Sequence, residues 1–337
     1  MKLKFIEKFL LLLNVLMLFI QLKTFHFIPS FHKIVFIDLI LPYIIIINLF
    51  FFFFWILKSK WPFTLFIPFF IFYNQWGMIY QFPRASIRND NNIFNVMSYN
   101  VRLFNKYDWI KEENVPKKIA NFIKINDPDI ISFQEYSIPD SPRLTKYPYK
   151  YIQNTKSNGS VGLAIFSKFP IINKGFIKFD NSNNSGMFTD IIYNYDTLRV
   201  YNLHLESLRI DFNDSLIKNS SSNKVKLKLD DVFEKQINQA KIFHKIDRDN
   251  NYASIVCADL NNSSFSSVYR KIKGDRIDAF TKAGKGLGTT FNIFLFPFRI
   301  DFIFSDKKLK VYDFKTHKNQ YLSDHKAISV KLGFKKN

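Results

Sequence analysis

The chain has 337 residues, 48 Lys+Arg against 28 Asp+Glu for a formal charge of +20, one cysteine and 40 phenylalanines. A hydrophobic fraction of 47% with 18% aromatics is far too apolar for a disordered chain, and a lone cysteine excludes both a disulfide framework and a cysteine-rich zinc module. Eighteen of the 40 Phe lie in residues 1–85, so something other than a globular core begins the protein.

Three apolar runs occupy that region. Phe9–Leu22 is short, but reaches spanning length if it continues through Phe25, Phe27 and Ile28. A cleaved signal peptide is its competing reading, yet no small-residue cleavage site follows it. The run 34–57 covers 24 residues interrupted only by Asp38 and Asn48, and Trp61–Tyr80 carries no charge. A bilayer core takes roughly 20 helical residues. Trp55, Trp61, Trp76 and Tyr80 fit interfacial aromatic belts, so residues 1–85 read as a membrane anchor of about three transmembrane helices, with the lipid bilayer as partner. Lys2, Lys4, Lys8, Lys58 and Lys60 on one side outnumber Lys23, Lys33, Arg84 and Arg88 on the other. The positive-inside rule then favours a cytoplasmic N-terminus, and three crossings place everything after Tyr80 outside the cytoplasm.

Residues 86–92 read as a polar linker, and residues 93–337 as one large globular domain. Beyond residue 85 the net charge is +14, which suits an anionic partner such as a lipid headgroup, a nucleic acid or a phosphorylated substrate. Phe94–Val101, Asp129–Phe133, Val161–Phe166, Met187–Ile192, Leu198–Leu205, Ser254–Ala258, Ile300–Phe304 and Ala327–Leu332 have the composition of strands. Val115, Ile119, Phe122 and Ile123, with Pro116 in the first turn, have helical spacing, as do Phe233, Ile237, Ala240 and Phe243. Leu208–Leu229 is a polar, basic insertion, either a substrate-covering loop or a surface excursion. Sheets covered by helices follow from this pattern.

Polar residues fall at the ends of these strands. Asn100 ends one, Glu135 follows DIISF, His204 closes RVYNLHLES, Asp259 and Asn261 follow SIVCADLN, Asp301 sits in RIDFIF, and Asp324-His325 precede the last strand. A rigid sheet can aim such side chains into one cleft. Any single one has a plainer reading as a cap or turn residue, but capping does not account for the ordered series.

The series SYN, QE, NLHLES, ADLN, RIDFIF and SDH resembles the endonuclease/exonuclease/phosphatase superfamily across essentially all of 93–335. The resemblance implies a four-layered α/β sandwich of two facing sheets, a divalent metal, usually Mg2+ with Mn2+ as the substitute, and hydrolysis of a phosphate ester. The residues suit that chemistry. A phosphodiester repels hydroxide, so a cation, an oriented water and donors for developing charge are needed. Glu135 and Asn100 offer hard oxygens to such a metal, and Asp324 is either a second metal contact or a residue that orients the site. Asp259 would orient the attacking water, with Asn261 beside it. His204 and His325 would donate to the phosphate, and Asp301 would fix the His325 tautomer. Two departures stand out: Ala258-Asp259-Leu260-Asn261 where the family often has Gly-Asp-Phe-Asn, and Arg102 where some apurinic endonucleases carry an acid. The remaining histidines, His26, His32, His244 and His317, lie outside the motifs, and Cys257 reads as a core residue. The sequence therefore points to a membrane-anchored phosphoesterase, with a DNA or RNA nuclease as one alternative and a catalytically silent binding domain as another.

Overall fold

In the computed structural model, which describes residues 3–21, 36–66, 76–83, 92–155, 159, 161–208, 222–293, 296–317 and 321–335, the chain starts with helices α1 (Phe5–Gln21) and α2 (Phe36–Leu57). They run antiparallel, joined by their few polar side chains. Asn14 Nδ2 donates to Asn48 Oδ1 at 3.3 Å, Asn48 Nδ2 donates to Gln21 Oε1 at 2.7 Å, and the Trp55 indole donates to Asn14 Oδ1 at 3.3 Å. Amides inside an apolar helix pair satisfy one another because no water is at hand.

Among the described residues only Ile37–Leu57 is a helix long and apolar enough to cross a membrane. Of the three expected spans, the second is the one that the described residues support. Helix α1 has 17 residues. The run Trp61–Tyr80 opens as a 3-10 helix, Trp61–Phe66, and its described end holds the four-residue helix α3 (Trp76–Ile79), while 67–75 lies outside the described residues. The orientation expected from three crossings rests on runs that lie in part outside the described residues.

From residue 94 the order is β1 (Phe94–Asn100), α4 (Val115–Asn126), β2 (Ile130–Ser137), β3 (Tyr149–Asn154), β4 (Val161–Ser167), β5 (Ile171–Lys178), β6 (Ser185–Tyr193) and β7 (Asp196–His204). The second half runs α5 (Ser222–Arg248), β8 (Ala253–Asp259), α6 (Ser267–Lys273), β9 (Ile277–Asp278), α7 (Ala279–Ala283), the hairpin β10 (Phe291–Ile293) and β11 (Phe296–Phe298), β12 (Asp301–Ser305), β13 (Leu309–Thr316) and β14 (Ile328–Phe334). Two six-stranded sheets result, ordered β13-β14-β1-β2-β4-β3 and β5-β6-β7-β8-β12-β9. Each is mixed, with the parallel pair β1–β2 in one and β7–β8 in the other.

The sheets face one another across a core that includes Val96, Ile130 and Val330 from the first and Met187, Val200 and Ile255 from the second. Helix α4 covers the outer face of the first sheet through Ile119, Phe122 and Ile123. Helices α5 and α6 cover the second through Ala240, Phe243, Val268 and Ile272. The four layers anticipated from the sequence are thus present. One polar contact bolts the sheets together: Asn202, fully buried on β7, accepts from Gln134 at 2.7 Å and donates to the carbonyls of Phe133 and Ala164 at 2.8 and 3.1 Å. The expected insertion 208–229 is in part helical, because α5 begins at Ser222; 209–221 lies outside the described residues.

Candidate active site

Strand register assembles the site. In the second sheet His204 lies opposite Asp259 on the parallel pair β7–β8, and Asp259 lies opposite Asp301 on the antiparallel pair β8–β12. Residues in register share a face and sit one strand spacing apart, so an imidazole and two carboxylates meet at one end of three neighbouring inner strands. The last loop adds His325, whose Nδ1 lies 2.9 Å from Asp301 Oδ2. Phe291 of β10 supports the imidazole, ring centroids 4.8 Å apart, and pairs with His325 through an isolated bridge.

The first sheet contributes from the ends of its parallel pair. Asn100 closes β1 opposite Gln134. Glu135 has a φ of 49°, and the β2–β4 register shifts between Phe133 and Tyr136. A non-glycine residue at positive φ inside a bulge is a strained arrangement that re-aims a side chain. Gln134 consequently stays in the core, while the Glu135 carboxylate comes within 3.3 Å of Asn100 Nδ2.

Asp259 Oδ2 is the meeting point. Asn100 Nδ2 donates to it at 2.9 Å, and His204 Nε2 and His325 Nε2 stand 3.7 and 3.8 Å away. The same His204 nitrogen is 3.8 Å from Glu135 Oε1. It is buried and has no hydrogen-bond partner, an arrangement that costs free energy unless a ligand completes it. A cavity of about 430 Å³ opens beside it, lined by Glu135, His204, Ser207, Asn183 and Thr155 among others.

Burial, followed by the neighbouring Asp301, raises the Asp259 carboxyl above its ordinary range, against His325 and His204, which pull it down. Burial also opposes a charge on His325, but Asp301 and then Asp259 outweigh it and hold that imidazole well above 6.5. A carboxylate and an imidazolium therefore stabilise each other at the floor of the cleft.

Two predicted residues are placed differently. Asn261, at φ 48°, donates its amide to the Leu205 carbonyl at 3.0 Å, and its own N–H bonds Asp259 Oδ1 at 3.0 Å, so its contacts are made to the site's framework. Asp324 is engaged by Arg102 at 3.2 Å, and the guanidinium is stacked on Trp109 with its carbon 4.5 Å from the ring centre. Asn100, Glu135, His204, Asp259, Asp301 and His325 are brought together; Asp324 faces Arg102, the residue whose basic character set the sequence apart. His244 is exposed, and burial pushes the Cys257 thiol up to about 12, as befits a core residue. His26 and His32 lie outside the described residues.

One contributor was not expected. Gln236 of α5 donates to the Glu206 carbonyl at 2.7 Å and to those of Leu260 and Asn261 at 3.3 Å each, and accepts from Asn262 at 2.8 Å. It ties the loop after His204 to the loop after Asp259. The signal was a pair of glutamines, Gln236 and Gln239, in a helix whose neighbouring apolar positions all point inward.

The endonuclease/exonuclease/phosphatase family model matches residues 97–325, a stretch that holds all of these side chains. The chain belongs to this family. Family members are hydrolases of phosphate esters, and the buried Asp259, Asp301 and His325, whose donor atoms lie within 4.8 Å of one another, are the acidic and imidazole cluster among the described residues. A comparison with curated protein sequences gives no match. Among solved structures, an endonuclease/exonuclease/phosphatase family protein from Bacteroides thetaiotaomicron is 20% identical, with a TM-score of 0.56 over 72% of this chain and 95% of that one. A mannosyl-6-phosphatase from the same organism is 19% identical, with a TM-score of 0.55 over 72% and 100%. The human Nocturnin catalytic domain with bound sulfate is 17% identical, with a TM-score of 0.56 over 75% and 97%. At these identities the likeness establishes the fold.

Proposed function

We propose that this family member is a membrane-anchored, metal-dependent phosphoesterase that hydrolyses a phosphodiester or phosphomonoester, with α2 as its anchor. The observation that carries the reading is the convergence of Asn100, His204 and His325 on Asp259 Oδ2, with the His204 nitrogen buried and unpartnered beside an open cavity. A phosphoryl oxygen supplies the acceptor that this nitrogen lacks.

Glu135 on the cavity wall would offer a hard oxygen to Mg2+, or Mn2+ in its place, with Asn100 beside it; Asn100 turns its Nδ2 to Glu135 and Asp259 and its Oδ1 to the Arg102 N–H, and so holds the two carboxylates together. When bound, the ion neutralises the phosphoryl oxygens. The chain's own residues do the rest. Asp259 orients the attacking water and accepts its proton, a task suited to a carboxylate whose affinity for protons is raised. His204 and charged His325 donate to the phosphoryl oxygens as charge develops there, in a site that burial keeps low in dielectric. Asp301 holds His325 by its other nitrogen. Asn261 and Asp324 act at one remove, the first on the Asp259 loop and the second through Arg102. A nuclease acting on DNA or RNA remains the alternative that the +14 beyond residue 85 favours. A silent binding domain would have no use for an oriented imidazole and an unpartnered one on the same carboxylate.

Full-length protein in detergent with Mg2+ is expected to hydrolyse bis(p-nitrophenyl) phosphate and to stop when the metal is chelated. Asp259→Ala or His325→Ala should reduce the rate by about a hundredfold or more. Wild-type rates in both variants would overturn the assigned roles.

A further inference from the structure

The second sheet carries a buried hydroxyl that the catalytic cluster does not engage. Ser185 opens β6, and in the antiparallel β6–β7 register it stands opposite His204. Two places along, Met187 and Asn202 form another such pair: Met187 lies in the core between the sheets, and Asn202 bonds the Phe133 carbonyl of the first sheet. Alternation along a strand puts Ser185 and His204 on the same inner face, and residues directly opposite have Cβ atoms about 5 Å apart. Both line the cavity that Glu135 borders.

The segment leading into β6 is tied to the loop after His204. Asn184 Nδ2 donates to the Leu205 carbonyl at 2.7 Å, the same carbonyl that Asn261 holds. Ser182 Oγ donates to Glu206 Oε2 and accepts from the Asn184 N–H at 3.0 Å and from Gln239 Nε2 at 3.1 Å, while Gln239 Oε1 accepts from the Glu206 N–H at 2.9 Å. These bonds fix the start of β6 against the end of β7, and so fix Ser185 beside the His204 imidazole.

Within this bonded frame two groups are left over. Ser185 is 2% exposed, and its hydroxyl has no hydrogen-bond partner; His204 Nε2 across the strand pair is in the same condition. Among the described residues that line the cavity, these two have a buried polar atom without a partner. Other unpartnered hydroxyls, such as those of Ser132 and Thr189, do not line it. A buried donor left unmade costs about 1–3 kcal/mol, and an alanine at 185 would carry no such cost. A phosphate ester presents several acceptor oxygens and can satisfy both groups at once.

Resting on the phosphoesterase reading above, we propose that Ser185 is a further substrate-contacting residue, whose hydroxyl donates to a phosphoryl oxygen of the ester that His204 binds. The hydroxyl keeps its proton throughout; it stabilises the charge that builds on that oxygen as water attacks.

The test is kcat/KM on bis(p-nitrophenyl) phosphate for the full-length protein in detergent with Mg2+, together with the melting temperature of each variant. Ser185→Ala is expected to lower kcat/KM by about tenfold to a hundredfold, the loss of one hydrogen bond to a charged group. Its melting temperature should equal or exceed that of the wild type, because an unpartnered hydroxyl leaves the interior. Ser185→Thr, which keeps the hydroxyl, should recover most of the rate. A hydroxyl with a purely structural role would give the opposite stability result. Unchanged kcat/KM in Ser185→Ala, a Ser185→Thr variant no faster than Ser185→Ala, or a melting temperature for Ser185→Ala lower by about 4 °C or more overturns the inference. No hydrolysis by the wild type overturns the phosphoesterase reading itself, and this inference with it.

Discussion

Replacing Asp301 with Asn tests the proposed chemistry at its best-defined contact. Asp301 Oδ2 lies 2.9 Å from His325 Nδ1, and both residues are buried, with 3% and 5% of their surface accessible. The substitution keeps shape and hydrogen-bonding capacity and removes one charge. Burial alone would hold His325 neutral; Asp301, followed by Asp259, reverses this and raises its pKa well above 6.5. Activity that needs charged His325 is therefore present below that raised value and is lost as pH rises through it. A hydrogen bond to a charged group contributes about 1.5–3 kcal/mol, or roughly one to two pH units. In Asp301→Asn the alkaline limb of the rate profile should move down by that amount. The acidic limb should move down less, since burial, which the substitution leaves in place, is the larger cause of the raised Asp259 carboxyl. The assay is kcat/KM for a soluble diester with full-length protein, measured from mildly acidic to alkaline pH. An alkaline limb that stays in place while the rate falls would show that the charge on His325 is not what the reaction uses.

Two predictions concern stability. His317 is held down at about 4 by burial and then by Lys315, while its ring contacts Ser329 at 3.0 Å and Phe122 edge-on at 5.1 Å. The fold accepts it only neutral, so its contribution is complete above the unfolded value near 6.5 and is lost as pH falls toward 4, about 3 kcal/mol in all; in urea titrations His317→Gln should flatten this decline relative to wild type, and parallel declines would refute it. Asn202→Leu strips the partners from two buried carbonyls and from Gln134 at the sheet–sheet junction, and should cost about 3 kcal/mol in the same titrations; a loss under about 1 kcal/mol would mean that apolar packing alone aligns the sheets.

The eight strands foreseen from composition are the eight inner strands, β14, β1, β2 and β4 in one sheet and β6, β7, β8 and β12 in the other. Inner strands of a covered sheet are apolar on both faces, and a short Val, Ile and Phe run announces them. The four edges, β13, β3, β5 and β9, escaped notice. Strand β3 has no fully buried residue and β5 carries Asn173, Lys174 and Gly175, because an edge faces solvent and dilutes the apolar signal. The apolar N-terminal region is less legible for a related reason: apolar composition measures only whether a segment can enter lipid, whereas contacts such as the Asn14–Asn48 pairing decide how its helices pack.

For the site, chain order and chemistry were enough to single out Asn100, Glu135, His204, Asp259, Asp301 and His325, since acids, amides and imidazoles at the ends of buried strands have few other uses. Proximity was beyond the sequence. Strand register sets Asp259 between His204 and Asp301, and the β2 bulge turns Glu135 toward Asn100. The pairing of Asp324 with Arg102, the clamp of Gln236 on two loops and the seating of α2 against Ser263 and Pro297 join residues far apart in the chain. By itself the sequence determined which residues could do phosphate chemistry and that the chain begins in apolar helices, because composition and periodicity are local properties. Which side chains meet, and that α2 packs against loops of the site, were decided by the tertiary structure, because pairing register and packing are set by contacts between distant segments.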